Sequence, residues 1–313
     1  MKTRTFVLAM ASVAAAALVA VGVSAYGQVA GANMVAVQVK PADRADDFRL
    51  VDQNSNAHLL SYYKFAPAIV IVNHVNGSAQ MKAAVPALKA MQASFAGTDN
   101  QLFLLNSTPD VTREAIQADM AALGLDLPVM IDDSQIVGES LGMSRVGQAL
   151  VISPKTWKVV YSGPINGELS GAAKKTKAAY VADAVKALGA GQVVKVSHID
   201  LSTPLLAFPS RDAKADFAKI SYETEIAPLL AKNCVACHTE GGIGPFAMDS
   251  YEKVKQWSGM MREAVRTDRM PPYNADPHVG KFVGDMNLST SDQKTLIHWI
   301  EAGAPRGAGD DPL

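Results

Sequence analysis

The chain has few cysteines, no surplus of charge of either sign and only one long apolar run. Two cysteines among 313 residues cannot staple a length that ordinarily makes about two domains. A disulfide-dense scaffold is therefore excluded, and stability must come from packing. The 29 basic and 30 acidic residues leave a net charge of −1, and no long basic run occurs. Nothing in that balance attracts a polyanion, which excludes nucleic acid as the expected partner. Disorder and collagen-like structure are also excluded, because 49% of the residues are hydrophobic and 19% charged, a composition that buries ordinary cores.

The one apolar run is at the N-terminus. Lys2 and Arg4 precede an uncharged stretch over residues 6–23, and Val23-Ser24-Ala25 is a small-residue cleavage site. Residues 1–25 read as an export signal, and no cysteine follows that would mark a lipoprotein. Retention of the segment as a membrane anchor is the alternative, since it nearly reaches spanning length. The composition, mostly Ala and Val, drives insertion weakly and favours cleavage. The expectation is a periplasmic, soluble mature chain, membrane-bound only if the segment is kept.

Two patterns follow. Over residues 42–192, strand-like segments at 47–52, 68–72, 102–105, 128–131, 148–152 and 158–162 alternate with helical spacing at 81–95, 110–123 and 174–188. Pro86 interrupts the first helix and Asp110 is the expected cap of the second. Such alternation predicts an α/β domain with a central sheet. Residues 193–218, with Ser202-Thr203-Pro204 and Phe208-Pro209-Ser210, are a linker or wrapping segment. From 219 to 305 the class changes to a small all-α domain. Ser221, Ser250 and Ser289 or Thr290 open its three helices, the last ending at Gly303.

Both cysteines fall in this second domain, as Cys234-Val235-Ala236-Cys237-His238, the spacing of covalent c-type haem attachment. Two thiols three residues apart at a helix end can reach the two vinyl groups on one porphyrin edge while the next residue points an imidazole at the iron. A redox Cys-x-x-Cys pair would instead follow a strand in an α/β domain, and a zinc site would want a second close pair. The iron's sixth position has Met270, Met286, His278, Met260 and Met261 as candidates. Met270 is preferred, because Pro271 and Pro272 stiffen the loop that would press its thioether toward the iron. His278 is the competitor, imidazole being the stronger ligand. Met260 and Met261 lie mid-helix near Trp257, where core packing is the simpler reading.

With these residues in hand, residues 219–305 resemble a class I cytochrome c. The resemblance implies one heme c held by Cys234 and Cys237, with His238 and Met270 as axial ligands. It also implies a carbonyl at Pro245, in Gly242-Ile243-Gly244-Pro245, that accepts a hydrogen bond from the other nitrogen of His238. The final helix, with Trp299 facing the core, would cross the first. The stretch from Tyr273 to Met286 is longer than in the smallest members. The nearest subgroup has an MPP loop and occurs fused to redoxin-like and copper monooxygenase-like domains.

Residues 42–192 resemble a redoxin of the thioredoxin-like, peroxiredoxin-type superfamily. Asp47-Phe48-Arg49-Leu50-Val51-Asp52, the strand at 68–72 before a helix kinked at Pro86, Leu150-Val151-Ile152-Ser153-Pro154 and Tyr161-Ser162-Gly163-Pro164-Ile165 fall in that family's order. Its cysteine does not: Asn76-Gly77-Ser78 stands in that place, and Gly147, beside Arg145, stands where the family has a cis proline. A serine hydroxyl is no thiolate, and a Ser78 and His74 nucleophile pair is set against His74 as an ordinary loop histidine. No thiol peroxidase activity is expected.

The expected function is an exported electron carrier. The degenerate redoxin-like domain would dock it on a periplasmic redox protein or complex. The alternatives are a haem-dependent peroxidase with an open sixth position, or an accessory electron-transfer subunit of a copper monooxygenase or respiratory complex. Residues 221–313 carry nine basic and thirteen acidic residues, a net −4, so a charge-steered partner would be basic.

Overall fold

The computed structural model describes residues 42–313; the export-signal expectation at residues 1–25 lies outside the described residues. The first half is built on strand β3 (Ile69–Asn73), every residue of which is buried. Its continuous run of β-branched residues suits a strand covered on both faces. It pairs parallel with β4 (Gln101–Asn106) and antiparallel with β6 (Ala149–Ser153). Adding β5 (Val129–Ile131) beyond β4 and β7 (Lys158–Gly163) beyond β6 gives a five-stranded sheet in the order β5-β4-β3-β6-β7. A small antiparallel pair, β1 (Arg49–Val51) and β2 (Ala57–Leu59), leads into it.

The sheet residues alternate between two cores, as the period of a strand requires. Val70, Val72, Leu104 and Val151 pack with Met81, Ala84 and Leu88 of α1 (Ala79–Phe95), Ile116 and Met120 of α2 (Arg113–Leu123), and Val181 and Ala184 of α4 (Tyr180–Gly189). Ile69, Ile71, Phe103, Leu105 and Leu150 pack on the other face with Phe48, Leu141 and Phe208, beside α3 (Ile136–Ser140). Pro86 is accommodated inside α1 on its exposed side.

Two helix starts differ from expectation. Thr112, not Asp110, caps α2: its hydroxyl accepts from the Ala115 N–H at 3.2 Å, while Asp110 sits in the left-handed turn before it at φ +59°. Helix α4 begins at Tyr180 rather than 174, because residues 176–178 run as extended chain against Gly167, whose N–H donates to the Ala178 carbonyl at 2.8 Å. The short β2 and α3 carry too few residues for a periodic signal. Residues 193–218 wrap rather than span. Val146 N–H donates to the Pro204 carbonyl, Leu206 N–H to the Ser144 carbonyl, and Phe208 at the start of α5 (Pro209–Asp212) is buried under the sheet.

The second half is helical. Ser221 caps a π-helical turn (Tyr222–Ile226) that runs into α6 (Ala227–Asn233); α7 (Tyr251–Arg266) and α8 (Thr290–Glu301) follow. Their core gathers Tyr222, Leu230, Tyr251, Val254, Leu296 and Trp299. The Trp299 indole is fully buried and its N–H donates to the Pro305 carbonyl at 2.8 Å, which satisfies its one polar atom.

The two halves do not separate: the described residues belong to one compact unit. Ile136 of α3 packs in the helical core. Arg262 bridges Glu301 at 2.7 Å and Asp46 at 2.9 Å. Nε2 of His298 meets Glu139 at 3.1 Å while its ring stacks on Phe217 at 3.9 Å. No helix among the described residues is long and apolar enough to cross a membrane.

Candidate functional site

The Cys-x-x-Cys-His segment closes α6 as a tight turn. Cys234 N–H continues the helix to the Leu230 carbonyl at 2.8 Å, and the Cys234 carbonyl accepts from Cys237 N–H at 3.2 Å and His238 N–H at 3.0 Å. Both thiols and the imidazole therefore leave one turn of backbone. The cysteines are free and partly buried. Burial, with the Cys237 sulfur beside it, pushes the Cys234 thiol up to about 11. That is opposite to the depressed thiol of a disulfide oxidoreductase.

His238 is buried, and the loop after it is folded onto its ring. Its Nδ1–H donates to the Phe246 carbonyl at 3.0 Å, and the Phe246 ring lies 4.8 Å away, stacked in turn on Trp257 at 4.7 Å. A carbonyl can only accept, so Nδ1 carries a proton; in the neutral ring Nε2 then keeps its lone pair, and it has no hydrogen bond among the described residues. This corrects the expectation at Pro245, whose side chain is exposed: the loop turns one residue further before meeting the ring, so Phe246 supplies the acceptor. The close approach depends on Gly244. A β-carbon there would stand 2.6 Å from Nδ1 and 2.9 Å from the Cys237 carbonyl oxygen. Gly244 N–H donates to that carbonyl at 2.8 Å, and Met248 N–H to the His238 carbonyl at 2.7 Å.

Met270 follows α7, its N–H donating to the Ala264 carbonyl at 3.2 Å, and its side chain is 39% exposed. No hydrogen bond joins it to the Cys234 turn. Asn274 closes the loop beside it, donating to the Asp268 carbonyl at 2.8 Å and the Pro271 carbonyl at 3.1 Å. Among the other candidates, Met261 is buried in the helical core and Met260 points outward, 49% exposed. Met286 holds the far end of the loop through its N–H to the Tyr273 carbonyl at 2.7 Å. His278 is engaged on both ring nitrogens, Nε2 with Asp133 at 2.6 Å and Nδ1 with Asp276 at 3.0 Å. With no free lone pair it is not a ligand in this arrangement.

In the α/β half, the serine at the position expected for a redoxin cysteine is engaged with the main chain. Ser78 Oγ caps α1 by accepting from Met81 N–H at 3.2 Å. His74 is fully buried, Nε2 on Asp119 at 3.0 Å and Nδ1 on the Asn106 amide at 3.1 Å. The Ser78 and His74 pair does not form; His74, in the loop just past β3, is a buried histidine held by ordinary hydrogen bonds. Gly147 holds φ +77°, a conformation closed to proline, whose ring fixes φ near −65°. Arg145 is occupied by the Thr203 carbonyl at 2.7 Å.

A cavity of about 520 Å³ opens in the seam between the halves, lined by Arg49, Asp133, Arg266, Asp268 and His278 among others. Cys234, Cys237, His238 and Met270 do not line it. No group of three or more His, Cys, Asp or Glu arranged to hold a metal ion occurs among the described residues.

A parallel βαβ unit, an antiparallel hairpin and a closing helix on a sheet ordered β5-β4-β3-β6-β7 make the first half a thioredoxin-like fold. No protein-family model and no curated protein matches the chain. Solved structures do. A hypothetical protein from Sinorhizobium meliloti is 24% identical over 52% of this chain and 93% of its own, with a TM-score of 0.45. A peroxidoxin from Mycobacterium tuberculosis is 17% identical over 49% and 97%, with a TM-score of 0.38. The thioredoxin domain of a thiol-disulfide oxidoreductase from Bacteroides vulgatus is 15% identical over 39% and 87%, with a TM-score of 0.35.

Proposed function

We propose that the protein is an exported c-type cytochrome, a single-electron carrier with one covalently bound haem in its helical half. The observation that carries this reading is the His238 turn. Two cysteines and an imidazole leave one turn, and the imidazole's far nitrogen is bare because its near nitrogen is tied to a carbonyl. The cradle also fits the group: the Gly244 loop lies so close to the ring that a β-carbon has no room, which fixes the plane of a ligand histidine. The donor set agrees. His238 is a single imidazole beside two thiols, and a macrocycle would supply the remaining nitrogens to a metal held there. The high thiol of Cys234 opposes the rival disulfide-exchange reading.

In this reading Cys234 and Cys237 would hold the porphyrin edge through thioether bonds, and His238 Nε2 and the Met270 thioether would ligate the iron. The bound iron supplies a ferric/ferrous couple, which thioether ligation raises relative to two imidazoles. The segment after Met270 also exposes the apolar side chains of Tyr273, Phe282 and Val283. The α/β half, without a thiol, performs no redoxin chemistry and docks the carrier on a redox protein or complex of the exported compartment. Replacing Met270 with Ala should lower the reduction potential and remove the low-spin, methionine-ligated spectrum. If both are unchanged, the ligand assignment is wrong. Rapid carbon monoxide binding by the native reduced protein would favour the peroxidase reading instead.

A further inference from the structure

The haem reading leaves the α/β half without chemistry of its own, and the charges at the seam suggest what it does. Resting on that reading, we propose that the thioredoxin-like half is a clamp that positions the Met270 loop, with Arg113, Asp133 and Arg49 as its positioning residues. Three charged contacts cross from this half to one short segment. Arg49 of β1 meets Asp268 at 2.7 Å, Arg113 at the first turn of α2 meets Asp276, and Asp133 after β5 meets His278 at 2.6 Å. Their targets bracket Met270, two residues before it and six and eight after. The loop between is closed on itself by Asn274, so fixing its ends fixes its middle.

Burial ranks the contacts. The side chains of Arg113 and Asp276 are 8% and 17% exposed, against 33% and 31% for Arg49 and Asp268. An exposed pair contributes little, whereas removing one partner of a buried pair strands a charge. Arg113 is also fixed before it reaches the loop, through Nη1 to Ser55 Oγ at 2.7 Å. A fourth crossing pair, Arg262 with Asp46, touches no residue of 268–278 and separates loop clamping from general cohesion of the seam.

The test compares Arg113→Gln, Arg49→Gln and Arg262→Gln in the full chain. Hydrogen exchange over residues 268–286 is followed with and without haem, together with the potential and the red absorption band of methionine-ligated ferric haem. Arg113→Gln should speed exchange about tenfold and Arg49→Gln a few-fold, with a lowered potential and weakened band. Arg262→Gln should do neither, and Arg113→Lys, which keeps the charge but not the fork that reaches both Ser55 and Asp276, should recover part of the loss. If Arg113→Gln does not fold, Asp133→Ala takes its place. The clamp is overturned if haem is bound with Met270 on the iron and these variants change none of the three readouts, or if exchange rises while potential and band stay put. A chain that takes up no haem fails the underlying reading instead, whatever its exchange, so the two failures are distinct.

Discussion

His238 donates its Nδ1 proton to a main-chain carbonyl, and Gly244 lets the loop carrying that carbonyl lie against the ring. Gly244→Ala should therefore cost about 1–3 kcal/mol by overpacking and reduce haem loading, measured by thermal denaturation and haem content per chain. Asp132 takes its character from the main chain too. It accepts Gly138 N–H at 2.8 Å and Val137 N–H at 3.2 Å, with Ser107 Oγ at 2.7 Å. Burial nevertheless dominates and raises its carboxyl from 3.8 to about 6. Between those values the unfolded chain has released a proton that the folded chain keeps, so this group's contribution falls as pH rises through the window. The loss is complete above pH 6 and amounts to about 3 kcal/mol. The stability of the wild type minus that of Asp132→Asn should accordingly decline by most of that amount, about 2 kcal/mol, from pH 4 to pH 7; a constant difference would contradict it. Cys234, Cys237, His238 and Met270 are the candidates the sequence offers because the proposed chemistry needs those side chains, and the structure brings the first three together on one turn. The Phe246 acceptor was not legible, since a carbonyl has no identity in the sequence. Nor were the two carboxylates on His278, one of which comes from 145 residues away.

At the scale of elements, the five strands of the main sheet were read within a residue of their ends, helped by β3, β5 and β6 being buried along their whole length, while the three-residue β2 left no signal. Helix starts were harder to read, since a cap is decided by backbone conformation: Asp110 and Thr112 both have capping side chains, but only Thr112 has the extended φ and ψ that aim it at the helix. Ser78 is the instructive case. In sequence it stands where a nucleophile would, and in the fold it is the N-cap of α1. Ser78→Ala should lower stability by about 1 kcal/mol, read from chemical denaturation, and the wild type should not react with a fluorophosphonate probe. Labelling at Ser78 would overturn the assignment.

For the whole molecule, the sequence suggested two domains with a linker or wrapping segment between them, and in the structure the α/β and helical halves form one compact unit. Residues 193–218 are spent along the α/β half, and the seam carries Ile136 in the helical core, the Arg262 bridges and His298 on Glu139 and Phe217. These contacts are long-range in sequence and leave no local pattern. They predict one cooperative unfolding transition by calorimetry, and two resolved transitions would show that the seam is weak. The account's central claim is the covalent haem on Cys234 and Cys237. It is tested most directly by expressing the full chain in a host that matures c-type cytochromes, then taking the pyridine haemochrome spectrum and intact mass of the denatured protein. The account predicts one c-type haem per chain, retained through denaturation and lost in Cys234→Ser/Cys237→Ser. A chain that matures to its apoprotein mass, with both thiols free and no haem, would contradict it.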